Sequence, residues 1–407
     1  MAKPKAINKI LLCVSNTGGG HRSAATAIEN AINELLRAKL ESVGTTYEVV
    51  IVDVVENSNP LHRVFVGIYN FLLRYKQGWM KYYYSMIETL KPDNSDFGYW
   101  LSYGYLHRLL NEIKPVVVVS IHPMANHYLA KALADANLPN QPLLILDVID
   151  PNAQLWIGWA CVDASTIIVA NELAQGRLLS LGIDAAKIVT IGMPVDPIFL
   201  RPAETSREKF LTDLGLAPDM VTICLTAGWA GGGNFIKIYS ALKTVSKPVQ
   251  MLVICGNNEK LYKTIKQISL DMPFKTVVER ELPSLSDAMS ACDLLVTKAG
   301  GLTTFEAIAR RLPMAIDMLT EPMPQEGGTA EILIDAGLAK PINNPTDIVA
   351  IVESLEHIEG RASIALPKTN NLDCTHAVYE IAKIILANCR VESKPEIAST
   401  ARLRNSS

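Results

Sequence analysis

The 407-residue sequence predicts an α/β protein made of two doubly wound parallel sheets in tandem. Short apolar runs of strand length alternate with helical stretches instead of hairpin turns, the pattern of parallel strands buried on both faces. The series runs twice, and a proline-rich stretch at 194–202 separates the halves. The length itself exceeds what one core usually fills. A content of 49% hydrophobic and 19% charged residues suits a core-rich globular chain, and a net charge of −3 gives no electrostatic case for nucleic acid.

In the first half, strands are expected at 8–14, 47–54, 115–121, 142–147 and 165–170, with helices at 23–40, 100–113 and 125–136. The first helix is read from Ala24, Ile28, Ala31, Ile32, Leu35 and Leu36, which fall on one face at a 3.6-residue period. In the second half the strands fall near 220–226, 249–255, 275–278, 293–297 and 313–317. The resulting domains are 1–195 and 203–375, followed by a helix at 376–390 able to cross back and a polar tail, 391–407, expected to be disordered. The seven cysteines lie mostly in apolar runs and no pair has metal-ligand spacing, so buried thiols in a reducing cytoplasm are expected. No apolar stretch approaches the roughly 18 residues of a membrane span, so membrane contact is expected to be peripheral.

Residues 61–105 break the rhythm. Trp79, Trp100 and the tyrosines, Tyr82 and Tyr83 among them, interleave there with Arg74, Lys76 and Lys81. Rings beside cations suit a bilayer interface with anionic headgroups, because rings settle at headgroup depth while cations gain surface attraction. An ordinary helical insertion with aromatics in the core is the alternative.

Three glycine turns carry the chemistry. Gly18-Gly19-Gly20-His21 follows the first strand and opens a helix, a geometry in which free amides meet an anion. His21 stands at that helix mouth instead of on an apolar face. His122 and His127 flank a helix start near the cleft, while His107 and His357 are placed in helical stretches. In the second half, Gly228 and Gly231 belong to a strand–glycine–helix turn that is neither a P-loop nor a dinucleotide fingerprint. Lys298, Gly300, Gly301, Thr303 and Thr304 form another such turn, whose amides and hydroxyls can meet phosphate oxygens. Glu306, a turn further on, can accept from ribose hydroxyls, and Thr303 with Glu306 also has capping-box spacing. With no carboxylate cluster spaced for a metal, helix starts and Lys298 are expected to meet a leaving diphosphate.

Ser15 to Ala25, His122-Pro123, Thr297 to Ala307, Leu312-Pro313 and Gln325-Glu326 together resemble the monogalactosyldiacylglycerol synthases and bacterial diacylglycerol glucosyltransferases, relatives of the peptidoglycan N-acetylglucosaminyl transferase, over most of 7–390. The resemblance implies a GT-B fold and an inverting, metal- and cofactor-independent transfer of galactose or glucose from a UDP-sugar to diacylglycerol, at a membrane carrying anionic lipid. It implies Gly20 near the donor diphosphate, Gly300, Gly301 and Thr303 at phosphate, Glu306 at ribose, Gln325 and Glu326 at sugar hydroxyls, and Pro123 in a stretch tied to anionic lipid. For the transfer to an alcohol that it implies, His21 is the candidate base, with Asp150 or Asp147 as runner-up or as a partner orienting the imidazole. The chain departs from the pattern twice. Gly327-Gly328-Thr329 stands where an Asn usually follows the Gln-Glu pair, and Asp147 to Ala153 replaces a His-containing loop. Another acceptor, or a non-catalytic nucleotide-sugar or lipid-binding protein of the same fold, is the alternative reading.

Overall fold

The computed structural model describes residues 7–38, 46–138, 141–229, 231, 233–358, 361–363, 372 and 374–389. The tail expected to be disordered lies outside them. In the first half, β1 (Ile7–Val14), β2 (Thr46–Asp53), β3 (Pro115–Ser120), β4 (Leu143–Val148), β5 (Thr166–Val169) and β6 (Ile188–Thr190) form one parallel sheet in the order β2-β1-β3-β4-β5-β6. Helix α1 (Gly20–Ala38) begins earlier than the periodicity of its apolar face indicates. Gly18 and Gly19 take φ of +72° and +89°, which lets the chain turn directly from β1 into the helix.

Between β2 and β3 the aromatic segment folds into α2 (Pro60–Tyr75), α3 (Met80–Leu90) and α4 (Asp96–Ile113). Asn59 and Ser95 cap α2 and α4 with their side chains, and Pro60 fits the first turn because no amide is needed there.

In the second half, β7 (Val221–Thr226), β8 (Val249–Ile254), β9 (Thr276–Glu279), β10 (Leu294–Thr297), β11 (Met314–Asp317) and β12 (Ala339–Ile342) pair in the order β12-β11-β10-β7-β8-β9. Helices α5 (Gly301–Ala309) and α6 (Pro324–Asp335) follow β10 and β11. The short edge strands β6 and β12 were not legible, since β6 has only three residues and the four of β12 include Lys340 and Pro341, which break an apolar run. The helical placement of His357 is corrected: Glu356–Ile358 is a strand paired with Arg361–Ser363, as a segment this short has no room to nucleate a helix.

One apolar cluster joins the halves. Met193, Val195 and Phe199 of the linker are buried in it, and so are Val378, Ile381 and Ile385 of α7 (Ala377–Ala387). Helix α7 returns across the molecule to pack on α1, where the Tyr379 hydroxyl donates to Glu34 at 2.8 Å.

Candidate functional site

In an open parallel sheet, ligands bind beyond the carboxyl ends of the strands, where the strand order reverses. The reversals fall between β1 and β3 in one sheet and between β7 and β10 in the other. The loops leaving β1, β7 and β10, with Ile149 and Asp150 after β4, line one cavity of about 630 Å³ between the halves, a size suited to a small-molecule substrate.

On the first side His21 lines the cavity, and the buried His122 lies behind it, outside the lining, with the two rings 4.3 Å apart. Nδ1 of His21 is 2.5 Å from the Ile121 carbonyl oxygen. A carbonyl only accepts, so Nδ1 carries the proton and Nε2 keeps its lone pair. His122 has the opposite tautomer, because its Nδ1 accepts from the Met124 amide at 3.2 Å, leaving Nε2–H to donate to Thr17 Oγ at 2.9 Å. Burial pushes His21 down to about 4 despite the Ile121 carbonyl, and holds His122 well below its usual range. Both rings are therefore neutral at neutral pH.

Asp150 also lines the cavity; it accepts from Trp159 Nε1 at 2.9 Å, and burial, with Glu326 adding to it, raises it to about 6. Asp147 is not among the lining residues. Its carboxylate is buried with neither oxygen partnered, which removes it as an alternative base. His127 faces Asp93 at 3.8 Å instead of the cavity.

On the second side, α5 is capped by Gly300, and the amides of Gly301, Leu302 and Thr303 open the helix without intrahelical acceptors. Thr303 lines the cavity, and because Gly300 holds the cap position the capping-box alternative does not apply. Glu306 is buried at the cavity wall, raised to about 7 by burial and then by Asp196. Lys298 lines the wall with its ammonium paired to Glu326 at 3.3 Å, so it arrives already half-neutralised.

Two donor-side expectations are corrected. The Thr304 hydroxyl turns back to the Gly300 and Gly301 carbonyls at 2.9 and 3.0 Å and is fully buried, so it is not available to a phosphate. Gly231 packs its backbone against Cys255 and Asn258, away from the cavity, and the Asn234 amide just before the following helix is taken up by Asp317 at 2.8 Å. Gly228 does line the cavity, as do Gly20, Gly300, Gly301, Gln325 and Glu326.

The halves touch across the cleft. A Cβ on Gly19 would lie 2.8 Å from Trp229 Cβ, and one on Gly301 would lie 2.8 Å from the Ile149 carbonyl, so both glycines permit close approach.

The surface expectations divide. Trp79 and Tyr82 are each 64% exposed, with Lys81 over the Tyr82 ring and the half-buried Arg74 over Tyr75. Tyr83 is instead buried at 9%, in a cluster with Leu73, Met80, Ile87 and Met323. Pro123 is buried too, because it opens a tight turn straight after β3 and packs inward, so neither residue meets a bilayer directly. A larger feature went unread. Leu61, Val64, Ile68, Phe71 and Tyr75 of α2 recur every three or four residues and are 41–58% exposed, forming an outward apolar stripe. Its spacing was visible in the sequence, but aliphatic residues at helical period read as core. Among the described residues no helix is long and apolar enough to cross a membrane, and no group of three or more His, Cys, Asp or Glu residues is placed to hold a metal ion.

Residues 21–195 match the family model described as monogalactosyldiacylglycerol (MGDG) synthase. Over 359 residues the chain is 27% identical to the chloroplastic monogalactosyldiacylglycerol synthase of Spinacia oleracea, covering 86% of this chain and 66% of that protein. Monogalactosyldiacylglycerol synthase 1 of Arabidopsis thaliana is 27% identical over 354 residues, 84% of this chain and 64% of its own length. The chain thus spans just under two thirds of these relatives. Among solved structures, MurG of Acinetobacter baumannii aligns with a TM-score of 0.54 and 14% identity over 93% of this chain and 99% of its own. UDP-GlcNAc 2-epimerase of Neisseria meningitidis bound to UDP-GlcNAc aligns with a TM-score of 0.57 and 14% identity over 93% and 100%. The shared architecture is the GT-B fold, two Rossmann-like domains facing each other across a cleft.

Proposed function

We propose that this chain, a relative of the monogalactosyldiacylglycerol synthases, is a hexosyltransferase that moves galactose or glucose from a UDP-sugar to diacylglycerol at a membrane surface. The observation that carries this reading is the meeting, in one cavity, of His21 from one sheet's switch point with the open amides of Gly301 to Thr303 and with Glu306 from the other's. In this reading the uridine ribose lies at Glu306 and the diphosphate at the start of α5, where amides and helix dipole favour negative charge. The hexose then extends toward Gln325 and Glu326, and the acceptor hydroxyl approaches Nε2 of His21.

The chemistry is a single displacement. The acceptor oxygen bonds to the anomeric carbon as the bond from that carbon to the phosphate oxygen breaks, which inverts the centre. The hydroxyl proton passes to His21 Nε2, and UDP leaves with the electron pair. The α5 amides meet the leaving charge, so the reading asks no metal of the reaction. His21 is neutral before the step, and a nearby diphosphate favours the imidazolium that forms during it. The α2 stripe, with Trp79, Tyr82 and the adjacent cations, is assigned to a bilayer containing anionic lipid, which places the chain peripherally on a membrane facing the cytoplasm.

Incubating the purified protein with UDP-galactose or UDP-glucose and vesicles containing diacylglycerol and an anionic phospholipid tests the assignment. Glycosyldiacylglycerol and UDP are expected in equal amounts, with or without EDTA. Absence of both products from either donor overturns it. His21→Ala separates an enzyme from a binding protein: UDP still binds and transfer is lost.

A further inference from the structure

We infer that selection between UDP-hexoses in this chain is controlled from outside the donor domain, by Tyr84 acting on the side chain of Gln325. The inference rests on the donor assignment above. Gln325 lines the cavity as the second residue of α6; its carbonyl accepts from Thr329 Oγ of the same helix at 2.9 Å, and its other hydrogen bonds come from the other half of the molecule. Its side-chain Nε2 donates to the hydroxyl of Tyr84, which belongs to α3. Its main-chain carbonyl accepts from Nδ2 of Asn152 at 2.8 Å, and the same Nδ2 reaches Thr329 Oγ at 3.1 Å. Asn152 Oδ1 in turn accepts from the Gln154 amide at 2.8 Å, so the Asn side chain is fixed at both ends.

The two places where the chain departs from its relatives' pattern meet at this point. A Cβ on Gly328 would lie 2.7 Å from Asn152 Oδ1, so the glycine pair after Gln325-Glu326 is what lets Asn152 enter. The loop that lacks the usual histidine supplies that Asn152. The first turn of α6 is thereby held at its main chain by Asn152 and at its side chain by Tyr84.

A carboxamide free to rotate offers a donor or an acceptor equally well, whereas one tethered through Nε2 presents Oε1 and its remaining N–H in a fixed arrangement. Galactose and glucose differ only in the direction of the C4 hydroxyl. A site built to hydrogen-bond a hydroxyl in one direction rejects the epimer that leaves its buried polar atoms unpaired. Tyr84 does not line the cavity, so it acts as a positioning residue. Tyr83, the preceding residue of α3, is a built-in control: it does not line the cavity, and its ring lies edge-on to that of Tyr84 with centroids 6.2 Å apart.

Titration calorimetry on the full chain with UDP, UDP-galactose and UDP-glucose tests this without requiring transfer. The parent is expected to prefer one hexose, and Tyr84→Phe, which keeps the ring and loses only the hydroxyl, to move the ratio of the two dissociation constants about tenfold toward unity while the UDP constant stays within about twofold. Gln325→Ala should erase the preference to the same degree, and the double variant should add nothing further, because the two residues act as one unit. Tyr83→Phe should leave the ratio alone. Equal affinity of the parent for both hexoses, an unchanged ratio in Tyr84→Phe, additive effects in the double variant, or an equal change in Tyr83→Phe each overturns the inference. A parent that binds none of the three ligands overturns the donor assignment beneath it.

Discussion

The two sheets share a six-strand plan but differ at the same point in their connection. After β7 and β8 the second half adds β9 to the edge before returning to β10, whereas after β2 the first half adds no strand and sends the chain through α2, α3 and α4 before returning to β3. An added strand pairs its backbone on one side and becomes the new sheet edge, with no amphipathic face beyond the sheet left to cover. Amphipathic helices leave faces to be covered: one face of the insertion packs across the cleft on Met323 and Trp229, while the α2 stripe faces outward. The switch-point loops differ correspondingly. The second sheet offers amides and a carboxylate, suited to holding a nucleotide. The first offers the neutral imidazole of His21, suited to moving a proton, with His122 engaged behind it by Thr17 and Met124.

The sharpest way to break this division is to compare one residue from each side. His21→Ala should lower kcat about 1,000-fold, the scale of a lost general base, with the UDP dissociation constant unchanged. Glu306→Ala should weaken UDP about tenfold, as expected for a lost hydrogen bond from a ribose hydroxyl, with a smaller change in kcat. Stopped assays for kcat and calorimetry for UDP read the two effects separately. If both variants move both quantities equally, the halves do not divide the work.

The outward face of the insertion comes next. Val64→Ser with Phe71→Ser removes apolar area without touching the cluster around Leu73, Met80 and Met323. Binding to anionic vesicles in a flotation assay should fall about 30-fold, from roughly 1 kcal/mol per lost side chain. UDP affinity should not change. Undiminished flotation would make the stripe an ordinary surface and remove the contrast between the two edges.

The pH profile tests which group on the first sheet takes the proton. Neutral His21 is the competent base, so kcat/KM should hold down to acid pH and fall through about 4, the value burial gives the free imidazole. If Asp150 were the base the fall would come near 6. A bound diphosphate favours the imidazolium, so the acid limb of kcat should lie at higher pH than that of kcat/KM. Coincident limbs near 6 would transfer the role to Asp150.

The fold was largely readable because its strands are continuous apolar runs and its site motifs are local: strand, glycine and helix start sit within about ten residues of one another. His21, Gly301, Thr303 and Glu306 were legible for that reason. What could not be read depends on contacts distant in sequence. Thr304 and Thr303 are adjacent and alike in composition, and only the helix phase turns one inward and the other toward the cavity. Tyr82 and Tyr83 differ in the same way, one exposed and the other packed against Met323. Asn152 and Gly328 look like unrelated departures until tertiary structure brings them together.

The smallest expected effect concerns two aspartates at matching places, Asp147 near the end of β4 and Asp317 at the end of β11, each on the second strand outward from its switch point. Asp317 accepts from the Asn234 amide and side chain and from the Leu319 amide at 2.8–3.2 Å, while Asp147 has no partner and burial raises it to about 7. A carboxyl raised in the folded state binds more protons there than in the unfolded chain between its ordinary value and about 7, so unfolding free energy declines as pH rises through that window. Asp147→Asn removes the ionisation. Its melting temperature should match the parent near pH 4 and exceed it at pH 8, where the gain is about 2 kcal/mol, the scale for relieving an unsatisfied buried polar group. Asp317→Asn should do the reverse at pH 8 and lose about 2 kcal/mol, because an amide nitrogen would then face the Asn234 donors. Calorimetric scans of both variants at the two pH values decide it, and equal signs at pH 8 would mean that the two strand ends do not differ in how their carboxylates are satisfied.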